Sequence, residues 1–226
     1  TPLYSSAASD VYKRQVWVGS YYNGISIWDE SNNSFTNLNQ NSGASALSYD
    51  VVSSLAADAN KNIYIGTEGG GITVLDSKTG ITSKINSAAS NGISVDNVKS
   101  LCLSNTGILW IGTFTEGLAA YDVKSKRFVN EKIPLDLKNT LKNSGVYVIK
   151  KGRKNDIFWI GTFGKGLIRY NSSNNTYQTI GNDNYSDNFL TNNRVRTLLI
   201  DKKDNLWIGT QSGLNVINLN DFDNNS

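Results

Sequence analysis

Histidine and methionine are absent from this 226-residue sequence, and cysteine occurs once. Without histidine, Ser-His and Cys-His catalytic pairs and histidine-ligated zinc are excluded together. A single cysteine excludes both an internal disulfide framework and a cysteine-cluster metal site. That residue, Cys102, lies in "VKSLCLS", which reads as a buried strand. Nothing nearby in sequence would lower its pKa, so it is expected to be a small core residue and not a reactive thiol. The missing methionine removes any initiator, so the chain reads as a piece of a longer frame. No run of about 18 apolar residues is present, so no transmembrane helix is expected within it.

Charge of one sign is also scarce. The chain has 22 Lys and Arg against 19 Asp and Glu, for a net charge of +3. The basic residues are scattered, with only short clusters such as "KSKR" and "KKGRK", so no stripe suited to nucleic acid is expected. With 38% hydrophobic residues the sequence suits a folded globular body.

What the sequence does have is repetition. "LWIGT" occurs at Leu109 to Thr113 and at Leu206 to Thr210, with variants "VWVGS", "IYIGT" and "FWIGT". The marker glycines are Gly19, Gly66, Gly112, Gly161 and Gly209, spaced by 47, 46, 49 and 48 residues. A fixed period in this range marks a stacked or circular array. Each period divides into short extended runs. From Val98 they are "VKSLCLS", "ILWIGT", "GLAAYD" and "KRFVN", separated by polar or glycine-containing turns. The valine opening the first run precedes the aromatic anchor by 12 residues for Val52 and Tyr64, Val98 and Trp110, and Val195 and Trp207, and by 13 for Val146 and Trp159.

Runs such as "SLCL" and "LLI" place apolar residues on both faces of a sheet, so both faces need covering. Radial packing of four-stranded meanders meets that need, which gives an all-β fold, a β-propeller of about five four-stranded blades over 16–226. Trp17, Tyr64, Trp110, Trp159 and Trp207 are the expected anchors between blades. The following glycine permits close approach of the next blade. A second glycine, at Gly24, Gly71, Gly117, Gly166 and Gly213, suits a turn with positive φ.

Residues 1–15, "TPLYSSAASDVYKRQ", match nothing in the repeat and resemble translated adaptor text, so they are read as a non-native leader. On that reading the first blade lacks its first strand and the last lacks its fourth, leaving 18 strands. An incomplete arc of a larger propeller is expected.

Propeller ligands usually sit over the central channel, on the hairpins between second and third strands and on the blade-to-blade connections. Tyr21, Tyr22, Phe114 and Phe163 are large aromatics in such turns, where they could stack on sugar rings or merely cover a blade edge. Glu116, Lys165 and Arg194 are candidate partners for hydroxyl or uronate groups. Asp50, Asp96 and Asn193 are expected to satisfy local backbone groups. "DKKDN" and "NDNYSDN" lack calcium-loop spacing and read as solvated turns, and "GGG" lacks the lysine of a phosphate loop. No metal and no cofactor are expected.

The stretch "NNRVRTLLIDKKDNLWIGTQSGL", with weaker echoes at "DNVKSLCLSNTGILWIGTFTEGL" and "GVYVIKKGRKNDIFWIGTFGKGL", resembles the two-component regulator propeller repeat. The resemblance runs five times from about Val16 to Leu219. It implies the periplasmic sensor region of a hybrid two-component receptor with seven-bladed propellers. It further implies recognition of oligosaccharides and partnership with the rest of the receptor chain, including missing blades. "IYIGT" in the second blade and "KKGRKND" in the fourth depart from the pattern. No ATP-binding segment or phosphoacceptor histidine is present, so the chain is not expected to be an enzyme. A propeller glycan hydrolase or lyase, which needs two carboxylates facing one pocket, is the first alternative. A protein-interaction scaffold is the second.

Overall fold

The computed structural model describes residues 7–12, 15–85, 94–154, 156–181 and 190–224. Most of "NSAASNGISVDN" and "NDNYSDN" therefore lies outside the described residues. Contacts group the chain into two compact units, residues 1–113 with 119–130, and residues 114–118 with 131–226.

Within the first unit the strands are β1 (Ala7–Tyr12), β2 (Gln15–Gly19), β3 (Ile25–Asp29), β4 (Ser34–Leu38), β5 (Val52–Ala57), β6 (Ile63–Thr67), β7 (Gly71–Leu75) and β8 (Thr82–Ile85). They are followed by β9 (Val98–Leu103), β10 (Ile108–Thr113), β11 (Leu118–Asp122) and β12 (Arg127–Phe128). They form three antiparallel sheets ordered β1-β2-β3-β4, β5-β6-β7-β8 and β9-β10-β11-β12. The second unit holds β13 (Val146–Lys151), β14 (Ile157–Thr162), β15 (Leu167–Asn171) and β16 (Thr176–Ile180) in a fourth sheet. Its fifth sheet comprises β17 (Val195–Ile200), β18 (Asn205–Thr210) and β19 (Gly213–Asn218). The chain is an all-β protein of the propeller class, and each sheet is one blade.

Two details depart from the sequence expectation. The first blade has its first strand, because Ala8 pairs with Trp17 and Tyr12 with Gln15. Strand pairing is a main-chain interaction, so Ala7–Tyr12 can extend the sheet without matching the repeat. The connection "PLDLKNTLKNSG" contains a short helix, α1 (Leu135–Leu141), which buries Leu137 and Leu141 four residues apart. A second short helix, α2 (Leu219–Asn224), follows β19, where no fourth strand is assigned.

The aromatic, the glycine and the threonine of "WIGT" each have a physical task. Trp17, Tyr64, Trp110 and Trp159 are buried. Tyr64 packs with Leu101 and Leu109 of the third blade, and Trp159 with Leu198, Leu206 and Ile208 of the fifth. Trp207 differs, being only half-buried, while Leu199 and Val216 opposite it in the sheet are exposed. A Cβ on Gly66 would stand 2.6 Å from Val98 Cγ1 of the next blade. Close approach therefore requires the missing side chain. The threonine, unassigned by sequence reasoning, donates its hydroxyl across the following hairpin. Thr67 Oγ1 reaches the Gly71 carbonyl at 2.9 Å and Thr162 Oγ1 the Gly166 carbonyl at 2.7 Å. Both hydroxyls are fully buried, where an unpaired one would be costly.

Neighbouring blades are latched by the same hairpins. The amides of Gly24, Gly71 and Gly166, all at φ between 71° and 75°, donate to the main-chain carbonyls of Asp50, Asp96 and Asn193 at 2.9 to 3.0 Å. The three residues act here through main-chain carbonyls and not through the polar side chains singled out in the sequence; the Asp50 carboxylate separately accepts from Gln40 N at 2.7 Å.

"DKKDN" is more than a solvated turn. The Asp201 carboxylate accepts from Trp207 Nε1 at 2.9 Å, from the Asn205 amide nitrogen and side chain at 2.9 Å each, and from Lys203 N at 2.8 Å. These donors, the indole foremost, hold its pKa well below the usual carboxylate range. In the second blade, Asp58 plays the same part toward Asn62 and the Tyr64 hydroxyl.

Candidate functional site

A β-bulge recurs at one position of the repeat. In β13 the register passes from Val146 paired with Thr162 to Val148 paired with Gly161, which leaves Tyr147 as the extra residue. The same shift isolates Ser53 in β5, Lys99 in β9 and Arg196 in β17. A bulge removes one residue from the ladder and re-aims its side chain. Strand alternation alone therefore misassigns this residue.

Lys99, Tyr147 and Arg196 each meet the residue that follows "IGT" in the preceding blade. Glu68 and Lys99 form an ion pair at 2.7 Å. Phe114 and Tyr147 have ring centroids 6.2 Å apart. The Arg196 guanidinium lies over Phe163 at 5.2 Å. The backbone holds these residues in place through isolated bridges between Glu68 and Asn97 and between Phe163 and Arg194. One geometric position thus carries three chemistries.

In the second unit these contacts merge into one rim. Tyr147 and Phe163 are 5.2 Å apart and only 31° from parallel, and Phe114 flanks Tyr147 at 59°. Arg194 lies 4.6 Å over Phe163, and Arg196 lies 4.9 Å over Tyr147. Phe114 is 43% and Phe163 36% exposed, and Tyr147 is half-buried. Arg194 also donates to Gln211 Oε1 at 3.0 Å. Three neighbouring, partly exposed rings offer apolar contact of the kind sugar rings use, while the guanidinium groups supply hydrogen-bond donors.

Phe114, Phe163 and Arg194, expected from the sequence, are therefore brought together, and Tyr147 and Arg196 were missed. Their signal was present, since each follows the valine that opens a first strand. Glu116 and Lys165 occupy exposed turns of the second unit. Thr115 Oγ1 donates to Glu116 Oε1 at 3.3 Å, and the Lys165 main-chain N–H donates to Thr162 Oγ1 at 2.9 Å. Tyr21 and Tyr22, in the first unit, are 41% and 71% exposed and pair with each other edge to face at 4.7 Å. Among the described residues, no group of three or more His, Cys, Asp or Glu residues is placed to hold a metal ion.

The family model for the two component regulator propeller matches residues 190–212, which span Arg194, Arg196 and the Asp201–Trp207 hairpin. Residues 190–212 carry the two-component regulator propeller repeat. It is similar to Histidine kinase P4 of Formosa agariphila, with 45% identity over 202 residues. That alignment covers 88% of this chain and 14% of the relative. Among solved structures it resembles the extracellular domain of a hybrid two-component system from B. thetaiotaomicron, with 27% identity and a TM-score of 0.72. The match covers 93% of this chain and 26% of that one. The extracellular domain of a one-component system from the same organism shares the fold at TM-score 0.74 and 21% identity, over 90% of this chain and 26% of that one. Among the described residues, no helix is long and apolar enough to cross a membrane.

Proposed function

We propose that this chain is a ligand-sensing propeller segment of a periplasmic receptor of the hybrid two-component type. It binds an oligosaccharide on the Phe114, Tyr147 and Phe163 rim and communicates occupancy to a kinase carried elsewhere in the receptor. The observation that carries the reading is the bulge at Tyr147, which brings a third ring between two hairpin aromatics. Single exposed aromatics are ordinary, but a contiguous, cation-flanked row of three suits a ligand. The likeness to extracellular domains of two-component systems supports the location and the sensing role. Adjacent rings spaced 5.2 and 6.2 Å apart suit a chain of linked sugars better than one isolated small molecule.

The test is calorimetric titration of a panel of oligosaccharides into the wild-type chain and a Tyr147→Ala variant. Loss of one stacking ring is expected to weaken binding by roughly 1–3 kcal/mol, about five- to over a hundredfold. Equal affinity of the two proteins would remove the rim from the binding site.

A further inference from the structure

The repeat supplies its own control for the charge of this rim. At the bulge position of the second and third blades, Lys99 is neutralised by Glu68. At the equivalent position of the fourth and fifth blades, the acid is replaced by Phe163 and the cation is kept as Arg196. Arg194 stands over the same ring and takes a neutral partner, Gln211. Among the described residues, no carboxylate lies within ion-pair distance of either guanidinium. Two positive charges are therefore gathered at one aromatic ring with no anion paired to them among the described residues.

The Arg194 guanidinium donates one N–H to Gln211, and each of the two groups carries five N–H donors in a planar fork. That fork matches the two oxygens of a carboxylate or sulfate, and the rings at 4.6 to 5.2 Å hold the cations at the rim. Lysine could supply the charge but not the planar fork. We infer that Arg194 and Arg196 select an anionic sugar, bearing a uronate carboxylate or a sulfate ester, at the Phe163 end of the rim. This rests on the proposed oligosaccharide site and adds its charge preference. Phe114 and Tyr147 supply the stacking for either kind of sugar, and the arginine pair discriminates between them.

The experiment titrates three probes into the chain, a tetragalacturonate, a sulfated galactan tetrasaccharide and uncharged galactotetraose. At low salt at least one anionic probe is expected to bind about tenfold or more tightly than the uncharged one, and the gap narrows at high salt. Comparing the carboxylated with the sulfated probe identifies the anion. Arg196→Gln is expected to narrow the gap by weakening the anionic probes several-fold more than galactotetraose. Arg194→Gln, at an exposed side chain, serves the same purpose should the first variant lose its native circular dichroism. Binding of galactotetraose as tight as that of both anions overturns the inference and leaves the stacking rim standing. A gap that persists in a folded double variant also overturns it. Failure of all three probes to bind overturns both the inference and the proposed site.

Discussion

Replacing Trp159 with alanine probes the packing that makes the repeat a fold. The indole is 2% exposed and packs with Leu167, Leu190, Val195, Leu198, Leu206 and Ile208. Phe222 of α2 meets it edge to face at 5.7 Å and 69°. A tryptophan buries about 150–250 Å², and at about 25 cal/mol per Å² that is worth roughly 4–6 kcal/mol as an upper bound. Measured Trp→Ala losses in cores run about 3–5 kcal/mol, and the edge-to-face partner favours the upper part of that span. A loss of about 4 kcal/mol is expected, a large fraction of the stability of a typical domain. Urea unfolding followed by far-ultraviolet circular dichroism measures it without relying on the deleted fluorophore. The midpoint is expected to fall by more than about 1 M. Trp207→Ala, at a half-buried ring, is the comparison and is expected to cost less. Equal losses at the two sites, or an unchanged midpoint for Trp159→Ala, would refute the packing argument.

Two other perturbations test parts of the repeat. Because donors hold the folded pKa of Asp201 below its ordinary 3.8, its stabilising contribution is fully present above about pH 4 and is lost as pH falls through the folded value. Asp201→Asn is therefore expected to lower the urea midpoint at pH 7 and to flatten its decline in acid; identical pH profiles would contradict the role of the carboxylate. A Cβ on Gly161 would stand 2.6 Å from both Val148 Cγ1 and Val195 Cγ1, so Gly161→Ala is expected to cost about 1–3 kcal/mol through overpacking, read from the same urea curves.

The period and the strand runs were legible because both depend on local pattern. Five glycines near 48 residues apart and runs with apolar residues on both faces leave few other arrangements. Phe114 and Phe163 were legible for the same reason, as equivalent residues in equivalent hairpins. Tyr147 and Arg196 were not, because alternation in a regular strand assigns them by parity, whereas the bulge breaks parity at that residue. The role of Asp201 was hidden by a different cause. Its partner Trp207 is six residues away across a hairpin, and only the folded turn brings the indole N–H to the carboxylate. The strand at Ala7–Tyr12 escaped notice because pairing needs only backbone, while the repeat was read from side chains.

The central claim is that the aromatic rim of the second unit holds a sugar. A crystal structure of the chain soaked with the tightest-binding oligosaccharide tests it most directly. Sugar rings are expected against Phe114 and Tyr147, with an anionic group on the N–H donors of Arg194 and Arg196 at the Phe163 end. An ordered oligosaccharide seated on other residues, with those two rings bare, would contradict it.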